Sequence, residues 1–238
     1  MRLLVDFLCR FGWGMSLALV LTPAAIVPAG FFRVNLLVVL GLATVAAFLA
    51  RVELGGGGWM LAAAAAVMAW VGSVAWLAER RRGGQFCCAA CAGLLAVATA
   101  VVQPEPGLGR VVGALVSGLV VGCTVHAMLL GHWYLNAPGM RVDALRRMID
   151  VALVAWGVQL AASLAATGAA GGFAATGSTA TALLALRWLA GLVGLPILMV
   201  LARKTLDIPN TQSATGILYV ACLAAILGEL TAQLLQAA

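Results

Sequence analysis

GGGGWMLAAAAAVMAWVGSVAWLAERRR, residues 55–82, is the stretch that decides the fold. From Trp59 to Ala78 it carries no charged side chain. That run matches the roughly 20 apolar residues a helix needs to cross the hydrocarbon of a bilayer. The glycines in front supply a tight turn, because glycine adopts positive φ without a steric penalty. Glu79 and Arg80 to Arg82 behind it mark the return to water. A span with a turn on one side and a basic stop on the other is the unit from which the rest of the chain can be read.

The unit recurs along all 238 residues: 64% are hydrophobic, 9% are charged, and the mean hydropathy is +1.09. Soluble domains carry about 25% charged residues, so the chain belongs in a lipid bilayer. The expectation is an all-α, polytopic transmembrane helix bundle forming a single transmembrane domain over residues 1–238. About eight spans fit, at about 8–29, 34–51, 58–78, 85–102, 110–134, 148–168, 178–203 and 210–236. Pro23 is expected to kink the first and Pro196 to interrupt the seventh. Turns are expected at Pro104–Gly107 and Pro138–Gly139, and Pro209-Asn210-Thr211 reads as the start of the last span. Spans four and eight both follow a basic loop and open with glutamine and small residues (Gln85, Gln212), which fits two parallel four-helix repeats.

The net charge of +6 lies in short Lys and Arg clusters between apolar runs, so it reads as a topology signal and not as a nucleic-acid surface. Arg33, Arg80, Arg81, Arg82, Arg141, Arg146, Arg147, Arg203 and Lys204 fall on one side of the membrane; Arg2, Arg10, Arg51 and Arg110 fall on the other. Short loops rich in Lys and Arg stay in the cytoplasm. This places the protein in a cytoplasmic (inner) membrane with both termini outside, the periplasmic side in a Gram-negative bacterial cell. The N-terminus lacks the short apolar run and cleavage site of a removed signal and is read as the first span. Cys9, Cys87, Cys88, Cys91, Cys123 and Cys222 all lie in or beside apolar runs, as packing thiols do, and not in a disulfide framework.

Polar groups inside the spans are the functional clues, since a charge at mid-bilayer costs about 2.5–3.5 kcal/mol on insertion scales. At 1.5 Å per residue, Arg187 and Glu229 lie at similar depths, about 13 and about 10 Å below the outer surface. A buried Arg187–Glu229 ion pair is expected, either as a staple or as part of a proton or substrate relay. A second layer lies near the inner surface: His132 and Tyr134 at the end of span five, Lys204 behind span seven, and Thr211, Gln212 and Ser213 opening span eight. Free helix N–H groups beside cations suit an anion or a polar carbonyl headgroup, so a quinone or a lipid is the cofactor-like ligand this layer would hold. The same residue types gather at membrane boundaries without binding anything.

His126 and His132, the two histidines of the chain, are about 240° apart around the helix and about 9 Å apart along it. A bis-histidine haem within the subunit is therefore excluded, and a single-histidine haem is the lesser alternative. Cys87, Cys88 and Cys91 could offer a soft metal its thiolates, but the paired spacing that marks a zinc site is missing, and no metal ligands are assigned. Phosphate-binding loops, nucleophile elbows and His-Glu-x-x-His are also missing, so no catalytic residues are assigned. The length is similar to that of seven-helix retinal proteins, but the last span has no lysine to hold the chromophore. Minimal loops and Ala/Gly-rich faces suit a non-catalytic membrane subunit of a larger respiratory or electron-transfer complex, packed against other membrane subunits. The alternative is a small-solute or ion/proton-coupled transporter, suggested by the Pro-broken spans and intramembrane charges.

Overall fold

The computed structural model of the chain describes residues 1–53, 57–103, 107–137, 141–169, 177–208 and 210–237. The expected turns at Pro104–Pro106 and Pro138–Gly139, Gly55 and Gly56 of the glycine tract, and Pro209 lie outside the described residues. Among the described residues the regular structure is entirely helical: α1 (Arg2–Leu21), α2 (Ala29–Glu53), α3 (Trp59–Leu77), α4 (Arg81–Val102), α5 (Leu108–Asn136), α6 (Asp143–Ala169), α7 (Ser178–Leu186), a π-helical segment (Arg187–Gly194), α8 (Leu195–Thr205) and α9 (Thr211–Ala237). The segment Ser178–Thr205 crosses as one unit, which gives eight helices long and apolar enough to span a membrane. The protein is a multi-pass helical bundle. Its outer surface is apolar, with Phe48, Trp70, Phe86, Val154 and Leu189 all more than half exposed, as lipid contact requires and water would penalise.

Span one departs most from expectation. It runs from Arg2 to Leu21 instead of from about residue 8 to 29, so Pro23 lies beyond its end and kinks nothing. Thr22, the residue before that proline, is extended (φ −73°, ψ 128°), which is the conformation a following proline ring imposes. The displacement of six residues draws Asp6 and Arg10 from the membrane edge into the bundle. Spans four and six also begin earlier than expected, at Arg81 and Asp143, because charged first turns can extend a helix into the polar interface. Between spans three and four the chain reverses at Glu79, whose φ of +55° is rare for a residue with a side chain. Pro196 does mark a break in span seven, as the Pro-terminated junction between the π-helical segment and α8. Its ring carries no N–H, and the carbonyl of Leu192, four residues back, accepts a bond of 3.1 Å from the Trp156 indole N–H.

The packing order divides the bundle into two halves. α1 packs on α2 and α4, with α3 between those two; α5 packs on α6 and α9, and span seven lies between those. The halves meet where α1 crosses α5, the first helix of each set of four. That crossing is backbone on backbone. A Cβ on Gly14 would lie 1.9 Å from the Gly118 carbonyl oxygen, and one on Gly122 would lie 2.2 Å from the Gly14 carbonyl carbon. Gly118-x-x-x-Gly122 therefore acts as the small-residue motif that lets membrane helices approach closely. Above and below it the core is filled by large side chains, including Phe32 stacked on Trp76 at 4.2 Å between ring centres.

Candidate functional site

The α1–α5 crossing brings a polar cluster into the bundle. A Cβ on Gly118 would lie 2.5 Å from the Arg10 carbonyl oxygen, so the backbone of α1 at Arg10 rests directly on α5. Asp6 and Arg10 stand one turn apart on the same face of α1, and both are buried. The Arg10 guanidinium forks onto Asp6, with Nε donating to Oδ1 at 2.9 Å and Nη2 lying 2.5 Å from Oδ2. Its Nη1 donates to Glu229 Oε1 on α9 at 2.8 Å and to Ser117 Oγ on α5 at 3.4 Å. Gln103, at the end of α4, donates to Asp6 Oδ1 at 2.8 Å and accepts from Arg10 Nη2 at 3.4 Å. Gln233, one turn beyond Glu229, donates to Glu229 Oε1 at 3.2 Å and to Asp6 Oδ2 at 3.4 Å.

Four spans, one, four, five and eight, thus converge on one guanidinium that two carboxylates share. Glu229 is 2% exposed, and its second oxygen, Oε2, has no hydrogen-bond partner; nor does Gln233 Oε1. Both orphaned atoms are acceptors. In a bilayer an unsatisfied buried polar atom costs several kcal/mol, so acceptors held in this way suit a proton, a water or a cation that comes and goes.

Two cavities flank the cluster. One, of about 60 Å³, is lined by Asp6, Arg10, Gln103, Arg110, Gln233 and Gln236 and lies at the helix ends, where the Arg2 guanidinium caps the Val102 carbonyl. The other, of about 10 Å³, is lined by Glu229, Arg187, Gln159, Gly191 and Gly228 and has room for about one water molecule. Glu229 lines the inner void, and its partners Arg10 and Gln233 line the polar vestibule. The inner void abuts the π-helical segment, and there a Cβ on Gly191 would lie 2.9 Å from the Cα of Gly228. π-helical turns recur at functional sites, and this one presents Arg187 and Gly191 to the void together.

Arg187 and Glu229 do meet at this inner cavity, on neighbouring spans as expected, and their charges attract. The ion-pair contact of Glu229, however, goes to Arg10, while Arg187 Nη2 donates to Ser163 Oγ on α6 at 3.0 Å. The expected Arg187–Glu229 pair is corrected in that respect. The reason is the shift of span one: with α1 starting at Arg2, Arg10 arrives at the depth of Glu229, eight residues or about 12 Å in from the helix end.

The residues of the expected inner layer are spread over a surface. α5 and α9 do pack there: a Cβ on Gly131 would lie 2.6 Å from Thr215 Oγ1, and His132 Nδ1 lies 3.3 Å from the Tyr219 hydroxyl. His132, Lys204, Gln212 and Ser213 are nevertheless exposed, and no hydrogen bond joins one to another among the described residues. The Tyr134 hydroxyl is spent on the Arg141 carbonyl. The cap of α9 is Asn210, whose Oδ1 accepts the Ser213 N–H at 2.9 Å, and Thr211 supplies a carbonyl to Thr215 Oγ1 at 2.7 Å.

His126 is fully buried against the edge of Phe31, with Nε2 2.7 Å from Thr22 Oγ1. Thr22 donates its own proton to the Ala18 carbonyl, so the imidazole is the donor between them. That contact ties span five to the end of span one. The six cysteines are free and buried, Cys91 donating to the Ala65 carbonyl at 3.5 Å. No group of three or more His, Cys, Asp or Glu side chains is arranged to hold a metal ion among the described residues.

Sequence reasoning passed over Asp6, Arg10, Gln103, Ser117 and Gln233. A usable signal was present in the i, i+4 pairs Asp6/Arg10 and Glu229/Gln233, each of which sets two polar groups on one face of an otherwise apolar helix. No protein family, no curated protein and no solved structure matches the chain.

Proposed function

We propose that the protein is a proton- or ion-coupled transporter of a small solute, built around Asp6, Arg10 and Glu229. The observation that carries this reading is the sharing of one guanidinium by two buried carboxylates. Within that contact set the carboxylates outnumber the cations by one. Beyond it Glu229 meets a second cation, Arg187, only across the inner cavity, so Glu229 is the position at which a proton or small cation can enter and leave. Charged side chains are costly at this depth, and they mark ion paths and relays in membrane proteins far more often than they appear as filler. Glu229 lines the cavity beside Arg187 and contacts Arg10 and Gln233, which line the vestibule, so a proton taken up through the vestibule has a route by way of Asp6 and Gln233 to Glu229. Two four-helix halves meeting at glycine crossings supply elements that can rock against each other, as carriers require.

The reading places the chain in a cytoplasmic membrane with both termini outside. Burial of Arg10 in the bundle removes one cation from the outer count and widens the asymmetry. Uptake of labelled amino acids, sugars and organic acids into proteoliposomes under an imposed pH gradient tests the proposal. Uptake by the wild type that Glu229→Gln abolishes supports it; solute uptake equal in the two removes it.

A second reading, a non-catalytic subunit of a respiratory or electron-transfer assembly with a quinone or lipid headgroup at the inner layer, rests on a different observation. Span seven is the least buried of the eight, yet it carries the half-buried Arg187. A neighbouring membrane subunit covering this span would shield that cation from lipid. Comigration with other subunits on a native gel of solubilised membranes supports this reading, and migration as a lone species removes it.

A further inference from the structure

A groove of about 500 Å³ runs along the outer side of spans five and six, away from the Asp6–Arg10–Glu229 cluster. Its volume falls within the range of about 300–1,000 Å³ typical of small-molecule and cofactor sites. One part of its wall is apolar: Val116 and Leu119 from α5, and Val151, Val154 and Val158 from α6. From Val151 to Val158 that wall is about 10 Å long, most of the thickness of one leaflet. The other end of the groove is charged and carries Asp143, Arg146, Arg147 and Asp150.

The charges at that end do not cancel one another. Asp143 is held by Arg141 at 2.7 Å and Asp150 by Arg203 at 2.9 Å, so both groove carboxylates already have cations outside the groove. Arg146 donates through Nη2 to the Leu206 carbonyl and pairs with Asp207 at 3.5 Å, while its Nε is buried without an acceptor. Arg147 is exposed and has no hydrogen bond or ion pair among the described residues. An apolar channel therefore ends at the unpaired guanidinium of Arg147, with the Arg146 guanidinium beside it. Guanidinium groups match phosphate oxygens in geometry and charge.

We propose that this groove binds a single anionic phospholipid, with one acyl chain along Val151, Val154 and Val158 and its phosphate at Arg147, beside Arg146. The proposal is independent of the transport reading, since it uses none of the residues of the buried cluster. Its occupant is a lipid because the apolar wall lies on the bilayer-facing side of a membrane span, and the lipid is anionic because the charged group left unpaired there is a cation, Arg147.

Native mass spectrometry of the purified full chain, equilibrated with equimolar phosphatidylglycerol and phosphatidylcholine, tests this. The expected result is one retained phosphatidylglycerol in preference to phosphatidylcholine. In Arg147→Gln that preference falls about fivefold, the factor that corresponds to one cation near a membrane surface. Val154→Trp adds bulk to an exposed wall position and is expected to lose retention of both lipids while the protein stays folded by circular dichroism. Millimolar inorganic phosphate leaves the retained lipid in place. Equal retention of the two lipids by the wild type, an unchanged preference in Arg147→Gln, or displacement of the lipid by phosphate would each overturn the proposal.

Discussion

Arg10 and Glu229 stand 219 positions apart in the sequence and 2.8 Å apart in the bundle, and their contact ties the first span to the last. Asp6, Gln103 and Ser117 complete the environment of the guanidinium, so it makes contacts to four spans at once. Removing one partner of a buried ion pair leaves the other charge uncompensated and costs about 3–5 kcal/mol. Arg10→Met leaves two buried carboxylates without a cation in contact and is expected to be the most destabilising single change in the cluster. Glu229→Gln keeps shape and an acceptor for Arg10, and its cost should be less than half as large. Thermal unfolding of the detergent-solubilised variants, followed by intrinsic tryptophan fluorescence, ranks them.

The glycine crossing between spans one and five makes a sharper steric prediction. Gly14→Ala places a Cβ 1.9 Å from the Gly118 carbonyl oxygen, where only backbone movement can relieve the clash. The expected outcome is loss of monodisperse protein on size-exclusion chromatography. Gly113→Ala, on the partner helix α5 and with nothing within 4 Å of its new Cβ, should behave as the wild type.

Topology can be read from two exposed positions. Leu108 begins α5 and is 82% exposed, and Ile208 follows α8 and is 81% exposed. All six native cysteines are buried, so background labelling is expected to be low. In intact cells, Leu108→Cys should react with a membrane-impermeant maleimide, and Ile208→Cys should react only after the membrane is opened. The reverse pattern would invert the proposed orientation.

The Trp156 indole supplies a donor to Leu192, the carbonyl four residues before Pro196. Trp156→Phe removes that donor and should cost about 1 kcal/mol, the net worth of a typical hydrogen bond, with more added where water cannot replace it. Faster amide exchange in the segment Arg187–Gly194, measured by hydrogen–deuterium exchange, would locate the effect at the π-helical turns.

The number of spans was legible in the sequence because bilayer thickness sets one length for every helix, and runs such as Trp59–Ala78 declare that length. That Arg187 and Glu229 lie on neighbouring spans was legible from their order in the chain. The partner of Glu229 was not. Composition put the start of span one six residues too late, because Arg2, Asp6 and Arg10 look like surface residues when nothing shows that Asp6 and Arg10 share a buried face. Pro23 ends the span and does not bend it, a distinction that depends on the helix having already crossed by Leu21. The inner layer of His132, Lys204 and Gln212 was drawn from depth alone, which cannot tell side chains facing lipid or water from those facing each other.

The central claim is that Glu229, sharing Arg10 with Asp6, passes protons through the bundle. Its most direct test is proton movement into proteoliposomes carrying a trapped pH-sensitive dye, driven by a valinomycin-clamped potassium potential in the presence of the solute mixture. The account predicts acidification of the lumen by the wild type and its loss in Glu229→Gln at equal protein insertion. Acidification by Glu229→Gln at the wild-type rate, or a wild type indistinguishable from empty vesicles, would contradict it.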